Sequence, residues 1–321
     1  MTRPHVPQEI LDAAHARKAA RLARAWAEAD RLKAVIEEAG WRVVDRGADF
    51  ALSAAQAPDV DDGSRTRYGS SENVPSRLDL PDAASATVVI RAATDGAAVA
   101  RAVAGLLAHS PSGTQVIVVG DGPDPEVDEV LIGMEASGDA SLEVVWMARR
   151  LGEGASINIG LRRAAGSVVV LLDSSLEPTG DIVTPIIAAL ADPTVAVAGA
   201  TGLVGSDVRD LVEAATGDVA ALDGSCLGLR RTEAVLRGPV DERFTGRPML
   251  ATSWSLALRD AGEDQPARRA VALGGLPLIR HAPAPDDLAP SDRDRLVRRD
   301  RYRLLDRFGH RGDLLTPPAA G

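Results

Sequence analysis

Apolar runs of strand length alternate with segments of helical periodicity along the middle of the chain. Gly, Pro, Asp and Ser bound the apolar runs, as they do between strands and helices. The alternation predicts an α/β fold, with a doubly wound and mainly parallel sheet that has helices on both faces. The predicted strands are Thr87–Arg91, Gln115–Val119, Leu142–Trp146, Val168–Leu172, Thr194–Ala198 and Cys226–Leu229. The predicted helices are Ala97–Ala108, Asp124–Met134, Ala155–Ala164 and Asp181–Ala191.

The segments that flank this α/β region have other patterns. Residues 1–52 form a small helical N-terminal segment by their apolar spacing, and residues 53–86 are rich in Pro, Asp, Ser and Gly, which is typical of a linker arm. Residues 286–321 are expected to form an Arg-rich helix and a tail, with the helix from about Pro290 to Phe308. The α/β domain is therefore expected over residues 87–285.

The N-terminal segment has an apolar stripe that predicts either one long helix or a helical hairpin with a bend near Ala25–Glu28. Gly40 is a predicted C-cap, and a short strand starts at Trp41. Residues 23–47 resemble the small C-terminal helical extension of cysteinyl-tRNA synthetases, which implies a module that approaches tRNA. Acidic residues interleave with the basic ones, however, and this favours a solvated helix face. RNA binding by this segment is not expected.

Composition narrows the class of protein further. The 321 residues are 45% hydrophobic, which suffices for a substantial core, and the net charge of -10 argues against a general nucleic-acid-binding surface. A single cysteine, Cys226, excludes an internal disulfide framework and fits a reducing compartment. The sequence shows neither a signal-like start nor an apolar run of the ~18 residues that span a membrane. We expect a cytoplasmic protein with no transmembrane segment.

One stretch, from Gly152 to Pro178, organises the predicted domain. It combines a glycine-rich loop, a short amphipathic helix, a stop at Gly166, and a buried strand that ends on Asp173. An acid at the carboxyl end of a buried strand lies at the edge of the sheet, where open α/β sheets bind ligands.

This stretch resembles the family 2 glycosyltransferases of the GT-A fold. Their pattern is a basic residue, a glycine, an A-x-N-x-G helix, an A-x-G-[DS] turn and an apolar strand that ends in an aspartate motif. The matching residues are Arg150, Gly152, Ala155, Asn158, Gly160, Ala165, Gly166 and Asp173. The resemblance extends from about Thr87 to His281 and implies transfer of a sugar, of hexosyl type, from a nucleoside diphosphate sugar to an unknown acceptor.

The resemblance also implies a donor site. Asp121 stands where the family has two adjacent acids, one of which binds the nucleotide base. Arg150 corresponds to the residue on the diphosphate, and Gly152 and Asn158 belong to the same donor-binding stretch. An alternative for Asp121 is a turn residue, because Asp-Gly is also an ordinary loop signal.

A divalent ion, Mn²⁺ or Mg²⁺, is implied near Asp173. The family commonly uses Asp-x-Asp to hold the ion against the two phosphates, and this chain has Asp173-Ser174-Ser175 instead. His281, which follows an apolar strand near the end of the domain, is the candidate for the second metal ligand, and the alternative is a partly buried polar residue. For Asp173 the alternative is a helix N-cap or strand-end role. The metal motif therefore diverges from the family pattern.

The catalytic base is the largest departure from the family. The stretch from Gly238 matches the family at Val240-Asp241-Glu242 and again at Trp254, but no carboxylate lies in residues 249–253, where the base is expected. Asp241 and Glu242 are the fallback candidates. The alternative is a non-catalytic protein that binds a nucleotide sugar or a partner without turnover.

A further alternative comes from a strand followed by glycines at Gly199, Gly202 and Gly205, with Asp223 farther along. This pattern is typical of a turn that places a dinucleotide pyrophosphate at a helix N-terminus, and it would indicate an NAD(P)-dependent oxidoreductase. It requires a helix over about residues 207–215. That length is short for the crossover between parallel strands, and several strands precede the motif.

Overall fold

The computed structural model of the chain describes residues 6–47, 49–54, 57–262, 265–282 and 290–318. The expected boundary between residues 285 and 286 lies outside the described residues. Within the described ranges, no helix combines the length and hydropathy needed to cross a membrane.

The N-terminal segment is a helical hairpin followed by a β-hairpin. Helices α1 (Gln8–Leu22) and α2 (Trp26–Glu38) are followed by strands β1 (Trp41–Arg46) and β2 (Asp49–Ala54), which pair antiparallel. The predicted bend is confirmed by the break between the helices, and Gly40 has the left-handed φ of 77° that a helix C-cap favours. The sequence pattern gave no sign of β2. The N-terminal segment has a small hydrophobic core of its own, which consists of Ile10, Ala14, Ile36, Trp41 and Val43.

The rest of the described chain has an α/β arrangement. Its strands are β3 (Val60–Asp61), β4 (Thr66–Tyr68), β5 (Ala84–Ala92), β6 (Thr114–Gly120), β7 (Leu142–Met147), β8 (Gly166–Leu172), β9 (Leu176–Pro178), β10 (Val195–Gly199), β11 (Gly202–Val204), β12 (Val212–Ala214), β13 (Gly217–Val219), β14 (Ala221–Leu222), β15 (Cys226–Arg230), β16 (Arg269–Ala272) and β17 (Leu278–Arg280). Its helices are α3 (Gly96–His109), α4 (Pro125–Ala136), α5 (Glu153–Arg163), α6 (Val183–Leu190), α7 (Arg231–Arg237), α8 (Arg247–Arg259) and α9 (Pro290–Phe308).

A ten-stranded sheet forms the centre, in the order β13-β16-β10-β15-β8-β5-β6-β7-β4-β3. Strands β8, β5, β6, β7 and β4 run parallel, and β15 pairs antiparallel with β8 and β10. Successive residues of a strand point to opposite faces, so Val88 and Ile90 join a core with α3, α4 and α6, whereas Val89 joins a core with α5 and α8. The predicted fold class is confirmed, and so are the six strands and four helices predicted for the α/β region between Thr87 and Leu229.

The arm between the N-terminal segment and β5 is more ordered than its composition indicates. Its strands β3 and β4 extend the sheet beyond β7, and the guanidinium groups of Arg65 and Arg67 lie 4.4 and 4.7 Å from the ring centroid of Trp146. The buried Arg231 of α7 donates to the carbonyl oxygen of Leu80 and to the Asp82 carboxylate. The arm is thus fastened to the domain along its length.

Helix α9 docks through one buried acid. The Asp300 carboxylate is 1% exposed, and its Oδ2 accepts hydrogen bonds from the backbone N–H of Thr245 at 2.8 Å, the Thr245 hydroxyl at 2.8 Å and the backbone N–H of Gly246 at 2.9 Å. These donors lie immediately before α8, so α9 fixes the position at which α8 begins.

We expect Asp300→Ala to lower the free energy of unfolding by about 3 kcal/mol, because three donors lose their acceptor inside the protein. Urea denaturation followed by circular dichroism measures this change. Asp306→Ala, which removes an exposed acid of the same helix, should change it by less than about 0.5 kcal/mol. Equal effects of the two substitutions would contradict the docking role of Asp300.

Candidate active site

Five charged side chains meet at the carboxyl edge of the parallel strands. Asp121 follows β6, Asp173 follows β8 and Arg91 lies near the end of β5. Glu153 is the first residue of α5, and Arg247 is the first residue of α8. The sheet and the two helix starts therefore bring together residues that are far apart in sequence.

These side chains alternate in charge and form a continuous chain of ion pairs. Arg91 lies between Asp121, at 2.8 Å, and Glu153, at 3.7 Å. Arg247 lies between Glu153, at 2.5 Å, and Asp173, at 3.4 Å. The side chains of Asp121, Glu153 and Arg247 are almost entirely buried, and burial of a charge is tolerated only when it is paired in this way.

Asp121 anchors the loop that precedes α5. One of its oxygens accepts from the backbone N–H of Leu151 at 2.6 Å, and the other accepts from that of Gly152 at 3.0 Å and from Nε of Arg91 at 2.8 Å. The residue has no exposed surface, so a nucleotide base would reach it only if Arg91 or the loop moved. Its role in base binding stays a prediction, and the structure gives it a loop-anchoring role.

The loop that Asp121 anchors carries Arg150, whose side chain is partly exposed at the carboxyl edge of the sheet. The Arg150 guanidinium is 45% exposed and lies 3.1 Å from Asp124, near the carbonyl oxygens of Ala93 and Gly122. Gly152 has φ of 99°, a left-handed conformation that favours glycine, and it lets the chain turn from Arg150 into α5. This placement leaves a cationic group free to meet an anion from solvent.

The glycine of the A-x-N-x-G pattern has a packing role. A Cβ atom on Gly160 would lie 2.3 Å from Cγ1 of Val89, so only glycine allows α5 to pack this closely on β5. The asparagine of the pattern, Asn158, is buried and exchanges two hydrogen bonds with the backbone of Val240, at 2.8 and 3.1 Å. It thereby joins α5 to the segment that leads into α8.

The predicted base candidates belong to this same junction. Glu242 accepts hydrogen bonds from Asn158, at 2.8 Å, and from the Ser71 hydroxyl, while Asp241 pairs with Arg243 at 2.7 Å. Together with Asn158 they line a cavity of about 840 Å³ on the side of α5. The structure therefore groups Asp241 and Glu242 with Asn158, and gives all three structural partners.

Asp173 has a different kind of surrounding. Its Oδ1 accepts hydrogen bonds from the N–H and hydroxyl of Ser175, at 2.9 and 2.6 Å, and its Oδ2 faces Arg247. Burial by itself would raise the pKa of Asp173, but the charge of Arg247 and the hydrogen bonds from Ser175 outweigh it and hold the pKa below its usual value. The charged neighbour of the Asp173 carboxylate is therefore an arginine and not a second acid.

The residues around Asp173 do not fit a divalent cation. Among the described residues no group of three or more His, Cys, Asp or Glu could hold a metal ion, so an ion at this edge would depend on Asp173 and on the phosphates of a ligand. Asp173, however, already pairs with the Arg247 guanidinium at 3.4 Å. The predicted ligand His281 lies with its Nε2 2.6 Å from Glu177. The next carboxylate along the edge, Asp223, lies 3.5 Å from Arg280. Asp173 and Asp223 are thus each paired with an arginine.

The glycine motif at Gly199–Gly205 does not form a dinucleotide-binding turn. The chain passes from β10 directly into β11, which pairs with β12 and β14 in a three-stranded sheet. The helix expected over residues 207–215 is wrong, because this segment contains β12 and a turn instead. Without a helix N-terminus after the glycines, the phosphate-binding geometry is missing.

A second cavity, of about 430 Å³, adjoins the Asp173 edge. It extends from Leu176, three residues after Asp173, to Arg280 on β17, and residues 213–215 and 273–276 form its other walls. Arg280 also lies 3.0 Å from the Ser225 hydroxyl. This cavity thus has one cationic side chain at its border with the edge.

Arg91, Glu153 and Arg247 were not identified from sequence. A signal was present for two of them: Arg91 interrupts an apolar strand, and Glu153 opens a helix next to the glycine-rich loop. Nothing in the local pattern marks Arg247, because its contacts with Glu153 and Asp173 span more than seventy residues of sequence.

Comparison with known proteins shows a similar fold. Residues 87–225 match the family model described as glycosyl transferase family 2. The chain is similar to the structure of the mannosyltransferase PcManGT from Pyrobaculum calidifontis in complex with GDP-Man and Mn²⁺, with 14% sequence identity, a TM-score of 0.51 and coverage of 72% of each chain. It is also similar to the crystal structure of GalNAc-T7 with UDP, GalNAc and Mn²⁺, with 14% identity and a TM-score of 0.51, over 68% of this chain and 45% of that one.

At these identities the structural likeness shows the fold alone, and that fold is GT-A-like. The expected resemblance to family 2 glycosyltransferases and the expected fold are therefore confirmed, and the resemblance of residues 23–47 to the cysteinyl-tRNA synthetase extension stays a prediction. No curated protein sequence matches the chain.

The ion pair between Arg247 and Asp173 makes a testable prediction about the pKa of Asp173. In Arg247→Met this pKa should rise relative to the unsubstituted chain, because burial then acts against less positive charge. Carboxyl ¹³C NMR over a pH titration measures it, with Asp173→Asn to assign the signal. Arg42→Met, which removes an exposed arginine from β1, should leave it unchanged.

The lowered pKa of Asp173 also determines how the stability of the fold changes with pH. Because the folded pKa lies below the normal 3.8, the Asp173 carboxylate stabilises the fold above that pH, and this contribution is lost as the pH falls through the folded pKa. Below pH 3.8 the free energy of unfolding of Arg247→Met should therefore fall less steeply with decreasing pH than that of the unsubstituted chain. An unaltered Asp173 pKa in this variant would contradict the pairing.

Proposed function

We propose that this chain, which contains a glycosyltransferase family 2 domain over residues 87–225, transfers a hexosyl group from a nucleoside diphosphate sugar to an acceptor hydroxyl. One observation carries the proposal: Arg150, Arg247 and Arg280 all lie along the carboxyl edge that ends in Asp173. Guanidinium groups bind phosphate oxygens through paired hydrogen bonds. Such an edge suits a ligand with two linked phosphates.

The donor would lie along this edge with its nucleoside towards Arg150. Asp121 would support that end indirectly, because it holds the Arg150–Gly152 loop in place. The diphosphate would pass Arg247 and Arg280, and the sugar would enter the cavity that Leu176 and Arg280 border. A volume of about 430 Å³ is of the size that ligand sites in proteins have.

The solved structures support this class of donor. PcManGT holds GDP-Man, and the GalNAc-T7 structure holds UDP and GalNAc. Both also hold Mn²⁺. We include the nucleoside diphosphate sugar in the proposal and leave the divalent ion out of it, because the surroundings of Asp173 do not fit one.

In the proposed reaction, an oxygen of the acceptor attacks the anomeric carbon as the bond from that carbon to the diphosphate breaks. The hydroxyl proton passes to a base, and the nucleoside diphosphate leaves with the bonding electrons. By analogy with the family, the configuration at the anomeric carbon inverts. Asp241 and Glu242 stay the base candidates of this chain, since residues 249–253 contain no acid.

Binding of the donor without turnover is the second candidate function. The observation that favours it is that Asn158 and Ser71 already hold the Glu242 carboxylate and that Arg243 holds Asp241. For Asp241, the hydrogen bond from Arg243 holds the pKa below its usual value, which makes this carboxylate a weaker proton acceptor.

We expect the full chain to bind one of the UDP-, GDP-, ADP- or dTDP-hexoses, detected by calorimetry and by a raised unfolding midpoint. Arg150→Met should weaken this binding about tenfold, which corresponds to loss of one charge-assisted contact of about 1.4 kcal/mol. Arg42→Met is the matched control and should bind like the unsubstituted chain. Equal binding by the Arg150→Met variant would contradict the proposed donor site.

Turnover separates the two candidate functions. For the donor that binds, release of the nucleoside diphosphate in the presence of candidate acceptor sugars and lipids would establish transfer. Asp241→Asn and Glu242→Gln should then lower kcat about 100-fold if the substituted residue is the base. Tight binding with no release above the rate of a no-protein control would favour the binding function.

A further inference from the structure

Arg247 stands where the positive charge of a GT-A-like site is needed. Its Nε lies 3.4 Å from Oδ2 of Asp173, and its Nη2 lies 2.5 Å from Oε1 of Glu153. A divalent cation bound to Asp173 would meet this guanidinium at close range, where two positive charges repel strongly in a partly buried environment. Arg247 and a metal ion at Asp173 therefore exclude each other in this geometry.

The same guanidinium has hydrogen-bonding capacity left over. In the described part of the chain, Nε of Arg247 is buried and makes no hydrogen bond, although it lies near Asp173. A buried N–H without an acceptor is costly, and native proteins rarely keep one unless a ligand or water supplies the missing oxygen. Nε of Arg247 thus has an ion-pair partner in Asp173 but no hydrogen bond, and it can donate one to an oxygen of a ligand beside it.

Arg280 adds a second cation near Asp173. Its guanidinium is half exposed, lies 3.5 Å from Asp223, and contributes with Arg247 to lowering the pKa of Asp173. Helix α8 is rigidly placed, because Asp300 holds the two residues before Arg247. Position and charge of Arg247 are therefore set before any ligand arrives.

We infer that Arg247, assisted by Arg280, neutralises the diphosphate of the donor in place of a divalent cation, so that donor binding is independent of metal. This inference rests on the proposed function and makes it more specific. The Asp173-Ser174-Ser175 sequence agrees with this role. Ser175 donates two hydrogen bonds to Oδ1 of Asp173, and Oδ2 of Asp173 faces Arg247.

The test is calorimetric titration of the full chain with UDP, GDP, ADP and dTDP, first in EDTA and then with Mn²⁺ or Mg²⁺. We expect at least one nucleoside diphosphate to bind in EDTA, with a Kd that either metal changes by less than about threefold. Arg247→Met and Arg280→Met should each weaken that binding about tenfold or more, and Arg42→Met should not. The affinity of the Arg247→Lys variant should lie between those of the unsubstituted chain and Arg247→Met, because lysine keeps the positive charge but lacks the planar guanidinium that binds two oxygens at once.

Two controls keep the result interpretable. Arg247→Met leaves the buried Glu153 unpaired, so the double variant Arg247→Met/Glu153→Gln is titrated as well, with its unfolding midpoint. Electron paramagnetic resonance with Mn²⁺ alone measures metal binding without any nucleotide. The free Mn²⁺ signal should persist in the presence of the unsubstituted chain.

Each contrary outcome has a distinct meaning. Diphosphate binding that requires Mn²⁺ or Mg²⁺, or Mn²⁺ binding that Asp173→Asn abolishes, would overturn the inference and leave the proposed transferase intact. Absence of binding by all four nucleoside diphosphates, with and without metal, would overturn both the inference and the proposed function.

Discussion

The site depends on the requirement that charges buried at the sheet edge be paired. Asp121 and Glu153 are almost inaccessible to water, and each is accompanied by an arginine from another element. Removal of one member would leave a partner charged and unpaired in the interior, which is far more costly than loss of a surface ion pair. The ends of the strands and the first residues of α5 and α8 are therefore held together by one continuous series of ion pairs, in which acids and arginines alternate.

This constraint connects distant parts of the molecule to the site. Helix α9, the last helix described, holds the residues that precede α8 through Asp300, and α8 places Arg247 against Glu153 and Asp173. On the other side, Asp121 fixes the loop that exposes Arg150. The C-terminal helix is thus part of the support of the edge and not only a solvated appendage.

The sequence allowed the central fold to be predicted because its strands are short apolar runs with helical segments between them, and this pattern is local. It did not allow the three-stranded sheet after β10 to be predicted, because Gly-rich residues 199–205 have the same spacing in a phosphate-binding turn and in short antiparallel strands. For the site, Asp121 and Asp173 directly follow β6 and β8 at the sheet edge, as their positions after apolar runs indicate, and the roles of Asp121, Arg150 and Asp173 stay predictions. Arg247 could not be identified, because only tertiary packing brings it to Glu153 and Asp173, whereas Arg91 was marked by its place in an apolar strand and was overlooked.

A crystal structure of the full chain with a bound nucleoside diphosphate sugar would test the central claim most directly. We expect the diphosphate at the carboxyl edge, with its oxygens within hydrogen-bond distance of the Arg247 guanidinium and without a cation on Asp173. A diphosphate bound in the 840 Å³ cavity beside Asn158, or held by a metal ion with Arg247 turned away from Asp173, would contradict it.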